Sequence, residues 1–253
     1  MRIKPLLQAR IRAPLSVVFM FGSPDYMVSG SVYIWVIEGE RVVVDAGVAE
    51  NSYYPIEGGG EKGVIKALER EEIKPKEVEK LVITHLHFDH IANVHLFHNA
   101  KIYVQKADWE FANNPIPIFR DLYVDDYLFK LEEMDLCFVE GDIEILPGVK
   151  LIHLPGHTPG LQGVVVETRG GDYLLSGDHF YSYLNIFPPR NNLKIENEHG
   201  KTVISAQKSP FLPPGIHVNL SDWFESCYKT MRFVKKSKII PGHDPSLEGK
   251  VFE

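Results

Sequence analysis

Three imidazoles and one carboxylate lie within six residues of one another, directly after the apolar run 81–83. They belong to His85, His87, Asp89 and His90. A strand that ends before this stretch directs alternate side chains the same way, so His85 and His87 converge on one point. Asp89 and His90 then turn toward a second point. Solvated loop histidines would explain any one of them alone, but four such donors at this spacing favour a site for zinc or a similar ion.

The spacing His-x-His-x-Asp-His resembles the signature of the metallo-β-lactamase superfamily, and three later blocks occur in the order typical of that family. These blocks are residues 155–160, 176–178 and 241–244. The resemblance implies two metal ions bridged by Asp178. The first ion would be held by His85, His87 and His157. The second would be held by Asp89, His90 and His243.

Two bridged divalent ions imply hydrolytic chemistry. Ions about 3.5 to 4 Å apart can share a hydroxide, which is then the expected nucleophile. One ion would polarise the carbonyl oxygen of an ester while the other stabilises the developing charge. Zinc suits these ligands best, although iron, manganese and cobalt also fit. A structural zinc site or metal store is the non-catalytic alternative, but such sites are usually four-coordinate and closed.

Asp45 ends a predicted strand and has two interpretations. Its carboxylate could cap the turn that follows. By resemblance to the family, it instead lies behind the metals and orients a ligand histidine. The same resemblance assigns the metal ligand Asp89 a catalytic role.

Two further features resemble the N-acyl homoserine lactonases within the superfamily. Tyr181 follows Asp178 by three residues, and residues 156–162 read Gly-His-Thr-Pro-Gly-Leu-Gln. The resemblance implies an enzyme that opens an acyl lactone ring, the activity called quorum quenching, with the Tyr181 hydroxyl near the substrate carbonyl. A glyoxalase II-like thioester hydrolase is the alternative, and it would recognise glutathione through basic residues near its C-terminus. Basic residues occur there at Lys229, Arg232, Lys235 and Lys236, but they also fit the solvated face of a helix.

The composition is that of an ordinary globular protein. Of 253 residues, 44% are hydrophobic and 24% charged, which suits one large α/β domain or two small ones. A net charge of -7 and a pI near 5.9 disfavour a nucleic-acid partner. No apolar run reaches the roughly 20 residues of a membrane span, and residues 14–21 do not resemble a signal peptide. These observations predict a cytoplasmic protein and leave a homodimer open. Its substrate, a small acyl lactone or ester, is what the resemblance implies.

Periodicity and turn residues predict the elements that position these side chains. A hairpin (31–38 and 41–45), a helix (61–72) and strands at 78–84 and 101–105 come first. Residues 107–134 are predicted to be a helical insertion, broken at Pro115 and Pro117.

The second half is predicted to contain a second sheet, an excursion and a last helix. Short strands between residues 136 and 175 would form the sheet, and residues 185–218 an irregular surface excursion. A helix over 221–236 would take Ser221 as its N-cap, before a final strand at 238–240. By resemblance, residues 1–253 form a single domain, an αββα sandwich of two mixed sheets packed face to face with helices outside.

An apolar stretch near the N-terminus is a candidate wall for an acyl chain. It consists of Phe19, Met20 and Phe21, with Met27 behind a turn. Core packing of these side chains is the stronger alternative, because apolar clusters are usually core.

Overall fold

Two β-sheets lie at the centre of the computed structural model, which describes residues 1–52, 54–198 and 200–253. The strands of the first sheet are β1 (Arg2–Pro14), β2 (Met27–Glu38), β3 (Val42–Val44), β4 (Ile56–Gly58), β5 (Lys80–Val82), β6 (Lys101–Gln105) and β7 (Leu136–Val139). Their order is β4-β1-β2-β3-β5-β6-β7. Pairing is antiparallel from β4 to β3 and parallel from β3 to β7, so the sheet is mixed.

The second sheet has five strands in the order β14-β11-β10-β9-β8. They are β8 (Ile143–Leu146), β9 (Val149–His153), β10 (Gln162–Val166), β11 (Tyr173–Leu175) and β14 (Ile239–Ile240). The pair β11–β14 is parallel and the others are antiparallel. Strands β12 (Leu193–Asn197) and β13 (Gly200–Ile204) form a separate antiparallel hairpin.

Helices flank the sheets. They are α1 (Leu15–Val18), α2 (Gly60–Glu69), α3 (Phe88–Ile91), α4 (Lys106–Asn113), α5 (Asp125–Glu132), α6 (Tyr183–Ile186) and α7 (Leu220–Phe233). Short 3-10 turns lie at Pro75–Glu77, Val94–Phe97, Pro117–Leu122, Gly177–His179, Lys236–Lys238 and Pro245–Leu247. Within the described residues, no helix is long and apolar enough to cross a membrane.

Three hydrophobic cores define the layers. Between the sheets, Trp35 and Val82 of the first share a core with Leu151 and Val164 of the second. The outer face of the first sheet packs on helices α2, α4 and α5. The outer face of the second packs on α7, with Trp223 fully buried. This arrangement confirms the predicted αββα sandwich.

The structure confirms the helical insertion and corrects the strand assignments around it. Helices α4 and α5 flank the predicted break at Pro115 and Pro117. Strand β7 was predicted in the second sheet but pairs with β6 in the first. The helical crossover that precedes it explains this, because such connections bring the next strand into the same sheet in parallel.

Two other predictions were wrong. The excursion at residues 185–218 contains the hairpin β12–β13, whose pairing runs from Leu193 with Ile204 to Asn197 with Gly200. The N-cap of α7 is Asn219 rather than Ser221, because the Asn219 side chain accepts hydrogen bonds from the backbone N–H groups of Ser221 and Asp222.

Candidate metal centre

The predicted metal ligands meet at one end of the sandwich, where strands of both sheets terminate. The loop after β5 and the start of α3 carry His85, His87, Asp89 and His90. The turns after β9, β11 and β14 carry His157, Asp178 and His243. All of them are buried except His243, which is half-buried. The structure therefore brings together every ligand that the sequence predicted.

Three of the histidines form a tight group that we call cluster A: His85, His87 and His157. His85 Nε2 lies 2.9 Å from His87 Nδ1, and His157 Nε2 lies 3.2 Å and 3.1 Å from these two atoms. Nitrogens bound tetrahedrally at 2.0 to 2.1 Å from one zinc ion lie ~3.3 Å apart, close to these distances. Asp178 Oδ2 completes the set, 3.7 Å from His85 Nε2 and 3.6 Å from His157 Nε2.

Asp89, His90 and His243 form the second group, cluster B. The other oxygen of Asp178, Oδ1, lies 3.2 Å from His90 Nε2 and 2.9 Å from His243 Nε2. The Asp89 carboxylate lies 3.7 Å from His90 Nε2 and 3.6 Å from His243 Nε2. The two oxygens of Asp178 therefore face different clusters, as a bridging carboxylate requires.

Hydrogen bonds behind three histidines fix which ring nitrogen faces the clusters. His90 Nδ1 donates to Asp45 Oδ2 at 2.8 Å, His157 Nδ1 to the Ile216 carbonyl at 2.8 Å, and His243 Nδ1 to the Ser31 carbonyl at 2.9 Å. Because these oxygens only accept, Nδ1 carries the proton in each neutral ring, and Nε2 then has the free lone pair that a metal ion needs. The carbonyl partners were not predicted, since a backbone acceptor has no sequence signature.

Asp45 lies where the resemblance placed it. Besides His90, its carboxylate accepts hydrogen bonds from the backbone N–H and the hydroxyl of Thr84 at 2.8 to 3.0 Å. Asp45 itself adopts a left-handed backbone conformation, with φ +62°. The end of β3 is thus held against the start of the His85 loop. Gly177 makes a similar approach possible from the second sheet, because a Cβ there would lie 2.9 Å from Thr84 Cβ.

The electrostatics of the two clusters differ. Burial lowers the pKa of His85 and His87 well below the usual range and that of His157 to about 4. Burial acts the same way on His90 and His243, but the carboxylates around them, Asp178 foremost, outweigh it and raise both pKa values. Cluster A is therefore neutral, whereas cluster B attracts positive charge.

The donor set fits two divalent cations. When Nδ1 carries the proton, the neutral His90 ring leaves only a lone pair at Nε2, which faces the equally accepting Asp178 Oδ1 at 3.2 Å, and both atoms are buried. Buried polar atoms without partners are unfavourable, and a cation between them would satisfy both. Imidazole nitrogens with carboxylate oxygens are the ligands that zinc and similar ions prefer.

Tyr181 lies at the boundary between the clusters and a pocket. Its side chain is 7% exposed, and its ring centroid lies 5.7 Å from that of His157 and 5.5 Å from that of His243. Burial, reinforced by the Asp178 carboxylate, raises the pKa of Tyr181 well above its usual value. The hydroxyl is therefore protonated at neutral pH and can donate a hydrogen bond.

The pocket has a volume of about 310 Å³ and opens onto His87, Asp89, Asp178 and His243. Of the four residues predicted to form its wall, only Phe19 lines it. Met20, Phe21 and Met27 do not, and Phe21 is 91% exposed at φ +67°. The prediction for Phe21 was wrong because the turn after α1 directs this side chain to solvent, whereas Met20 and Met27 are half-buried outside the pocket.

Other apolar side chains form the wall instead. They include Leu15, Val17, Val18, Val28, Leu184, Ile195, Ile204 and Ile216. Ile195 and Ile204 belong to the hairpin β12–β13, and apolar and polar residues alternate along β12 from Leu193 to Glu196. That alternation was the signal for this missed part of the pocket.

Comparison with known proteins agrees with this geometry. The chain matches the family described as "Metallo-beta-lactamase superfamily" over residues 27–243. An N-acyl homoserine lactonase of Bacillus cereus is 29% identical over 180 residues, covering 64% of this chain and 69% of that protein.

Solved structures of lactone hydrolases are also similar. A quorum-quenching N-acyl homoserine lactone hydrolase superposes with a TM-score of 0.77 at 26% identity, covering 98% of this chain and 94% of the other. Another such hydrolase, with N-hexanoyl-L-homoserine bound at its catalytic metal centre, gives 0.76 at 26% identity with the same coverage.

Proposed function

The chain belongs to the metallo-β-lactamase superfamily, and we propose that it opens the ring of N-acyl homoserine lactones. One observation carries this proposal: both metal clusters border an apolar pocket, and the protonated Tyr181 hydroxyl lies at their junction. A lactone carbonyl placed there would have its acyl tail in the apolar part of the pocket. The similar lactone hydrolases support the same substrate.

Each cluster, together with Asp178, would hold one divalent ion, and zinc suits the donors best. Ions bound there supply Lewis acidity and an activated water for attack on the carbonyl carbon. The tyrosine then donates its hydroxyl proton in a hydrogen bond to the carbonyl oxygen as negative charge develops on that oxygen. Its contribution is greatest in the transition state, so it serves turnover more than binding.

Asp89 has a second role in this proposal. Its carboxylate borders the pocket and lies 3.6 Å from His243 Nε2, so it can reach a water molecule that attacks a carbonyl there. It takes the proton from the attacking water and returns it to the ring oxygen when the acyl C–O bond breaks. The products are the ring-opened alcohol and a carboxylic acid, which releases its remaining proton to solvent at neutral pH and becomes a carboxylate, so that no proton is left at Asp89.

The acyl tail would lie between the turn at Phe19 and the hairpin β12–β13. Ile204 and Leu212 share a small hydrophobic cluster with Leu15 and Phe19, separate from the sandwich cores. Each CH₂ group removed from water there should stabilise the complex by up to ~0.8 kcal/mol. Longer acyl chains should therefore be better substrates until the pocket is full.

The thioesterase alternative finds less support. Recognition of glutathione needs cationic side chains, and no lysine or arginine is among the described residues that line the pocket. Lys229 instead contacts Asp142 and the His153 carbonyl. Lys236 contacts the Pro210 carbonyl and the Phe211 ring.

A hydrolysis panel tests the function. N-hexanoyl homoserine lactone, S-lactoylglutathione and a β-lactam are compared with a pH indicator, using metal-loaded protein. We expect kcat/KM for the lactone to exceed the other two by at least about tenfold. A preference for the thioester would overturn the lactonase proposal in favour of the alternative.

We further propose a cytoplasmic location, supported by Cys137 and Cys227, which are both free thiols. Cell fractionation tests this. Recovery in a secreted or periplasmic fraction would contradict it.

A further inference from the structure

Asp108, in helix α4, is a buried carboxylate without an ion-pair partner among the described residues. It is 0% exposed, and burial raises its pKa to about 6. Such a group is costly unless hydrogen bonds satisfy it. Asp108 lies on the helical insertion and outside every metal-ligand motif, so the metal ligands themselves do not explain why a carboxylate is buried there.

The hydrogen bonds of Asp108 run to two different loops. Oδ2 accepts from the backbone N–H of Leu86 at 2.7 Å, and Oδ1 accepts from the backbone N–H of Gly160 at 3.2 Å. Leu86 lies between His85 and His87, and Gly160 follows His157 by three residues. One carboxylate therefore joins the two loops that carry all three histidines of cluster A.

The contact with the second loop depends on glycine. A Cβ at position 160 would lie 2.2 Å from the Asp108 backbone nitrogen and 2.5 Å from its Cβ. The loop thus packs directly on the start of α4. Gln162 also joins the two sheets nearby, but its bonds reach the Ile83 and Thr84 carbonyls, just before the ligand loop begins, and the Tyr103 carbonyl in β6.

We propose that Asp108 is a positioning residue for cluster A, fixing His85 and His87 relative to His157 while leaving cluster B unaffected. Only a carboxylate offers two acceptor oxygens without a donor. An asparagine would turn an amide N–H toward one of the two backbone N–H groups. This inference rests on the metal centre of the proposed function but not on the identity of the substrate.

The test measures Zn²⁺ affinity of metal-free protein by competition with a chromophoric chelator, one cluster at a time. Asp89→Ala with His243→Ala leaves cluster A intact, and His87→Ala with His157→Ala leaves cluster B intact. In the first background, Asp108→Asn should weaken zinc binding about 10- to 100-fold. In the second, the change should stay below about threefold.

Leu131→Ala is the matched control, because Leu131 is a fully buried residue of the same insertion that contacts neither loop through a hydrogen bond. It should lower the melting temperature, and any change in zinc affinity should be the same in the two backgrounds. Gly160→Ala disturbs the same contact, between the Gly160 backbone and Asp108. It should weaken zinc binding at cluster A in the same way and serves as the test if Asp108→Asn does not fold.

Four outcomes would overturn the proposal. Equal losses in both backgrounds, or the same cluster A loss in Leu131→Ala, would show a general effect of stability. No loss in either would show that Asp108 positions nothing, while the metal centre stands. Absence of zinc binding in both backgrounds with Asp108 intact would overturn the metal centre itself.

Discussion

Cluster A and cluster B share Asp178 but are built differently. Cluster A consists of imidazoles only, and of its members only His87 borders the pocket. Cluster B combines a carboxylate with two histidines whose pKa values are raised, and both Asp89 and His243 border the pocket. This difference suggests a division of roles: cluster A, neutral and enclosed, is suited to retain its ion, and cluster B, charged and accessible, is suited to contact the substrate.

Removing the shared ligand Asp178 should impair ion binding at cluster A and cluster B alike. Asp178→Ala takes a ligand from both clusters, so we expect less than one ion per chain and a loss of kcat/KM of at least about 1,000-fold, more than one oxyanion donor usually contributes. Elemental analysis and lactone hydrolysis measure the two effects. The exposed Asp172→Ala serves as control. A variant that keeps two ions would contradict the bridging role.

Acidification should separate the clusters. A raised pKa means that the histidine holds its proton at a pH where an ordinary one has lost it, so protons compete with the ion at cluster B first. Cluster A competes with protons only at lower pH, since the pKa of His157 is about 4. Dialysis at decreasing pH should show one ion released before the other, with activity lost in the first step. Simultaneous release of both ions would contradict the predicted difference between the two clusters.

Tyr181→Phe should slow the reaction at the junction of the two clusters without affecting either ion. It deletes one hydrogen-bond donor, and because the metals share the stabilisation we expect ~1 to 3 kcal/mol, or roughly 5- to 150-fold in kcat/KM. Metal content and melting temperature should barely change. Tyr183→Phe, in the same pocket, is the control and should change little. Wild-type rates in Tyr181→Phe would make this tyrosine a packing residue.

The smallest effect is expected far from both clusters. Ile204→Ala enlarges the hairpin side of the pocket, so kcat/KM should fall about three- to tenfold for a long-chain lactone and hardly at all for a four-carbon one. Zinc affinity should be unchanged at both sites. The dependence of kcat/KM on acyl-chain length is measured with a series of lactones that differ only in that length. An equal loss for all lengths would argue against an acyl site at the hairpin.

The sequence was most informative where chemistry is local. The ligands were predictable because each lies in a short motif at a strand end, and a motif fixes both residue type and position. Strand β7 was assigned to the wrong sheet because a short apolar run does not reveal its partner. The prediction of the pocket wall was wrong for a different reason, because whether Phe21 faces solvent depends on a backbone turn in which its φ is positive. Asp108 had no signal at all, since its partners are backbone N–H groups of two distant loops.

The ligands of each cluster come from both sheets. Those of the His85 loop and α3 follow the first sheet, and His157, Asp178 and His243 follow strands of the second. A bound ion is then a cross-link between segments separated by more than 70 residues, as from His85 to His157, and the unfolded chain cannot reproduce it. Mass action gives about 4 kcal/mol of added stability when free ion reaches 1,000 times its dissociation constant. Resistance to heat and to proteolysis should therefore rise with the free zinc concentration of the solution, and a chelator should make the same chain behave as a less durable protein.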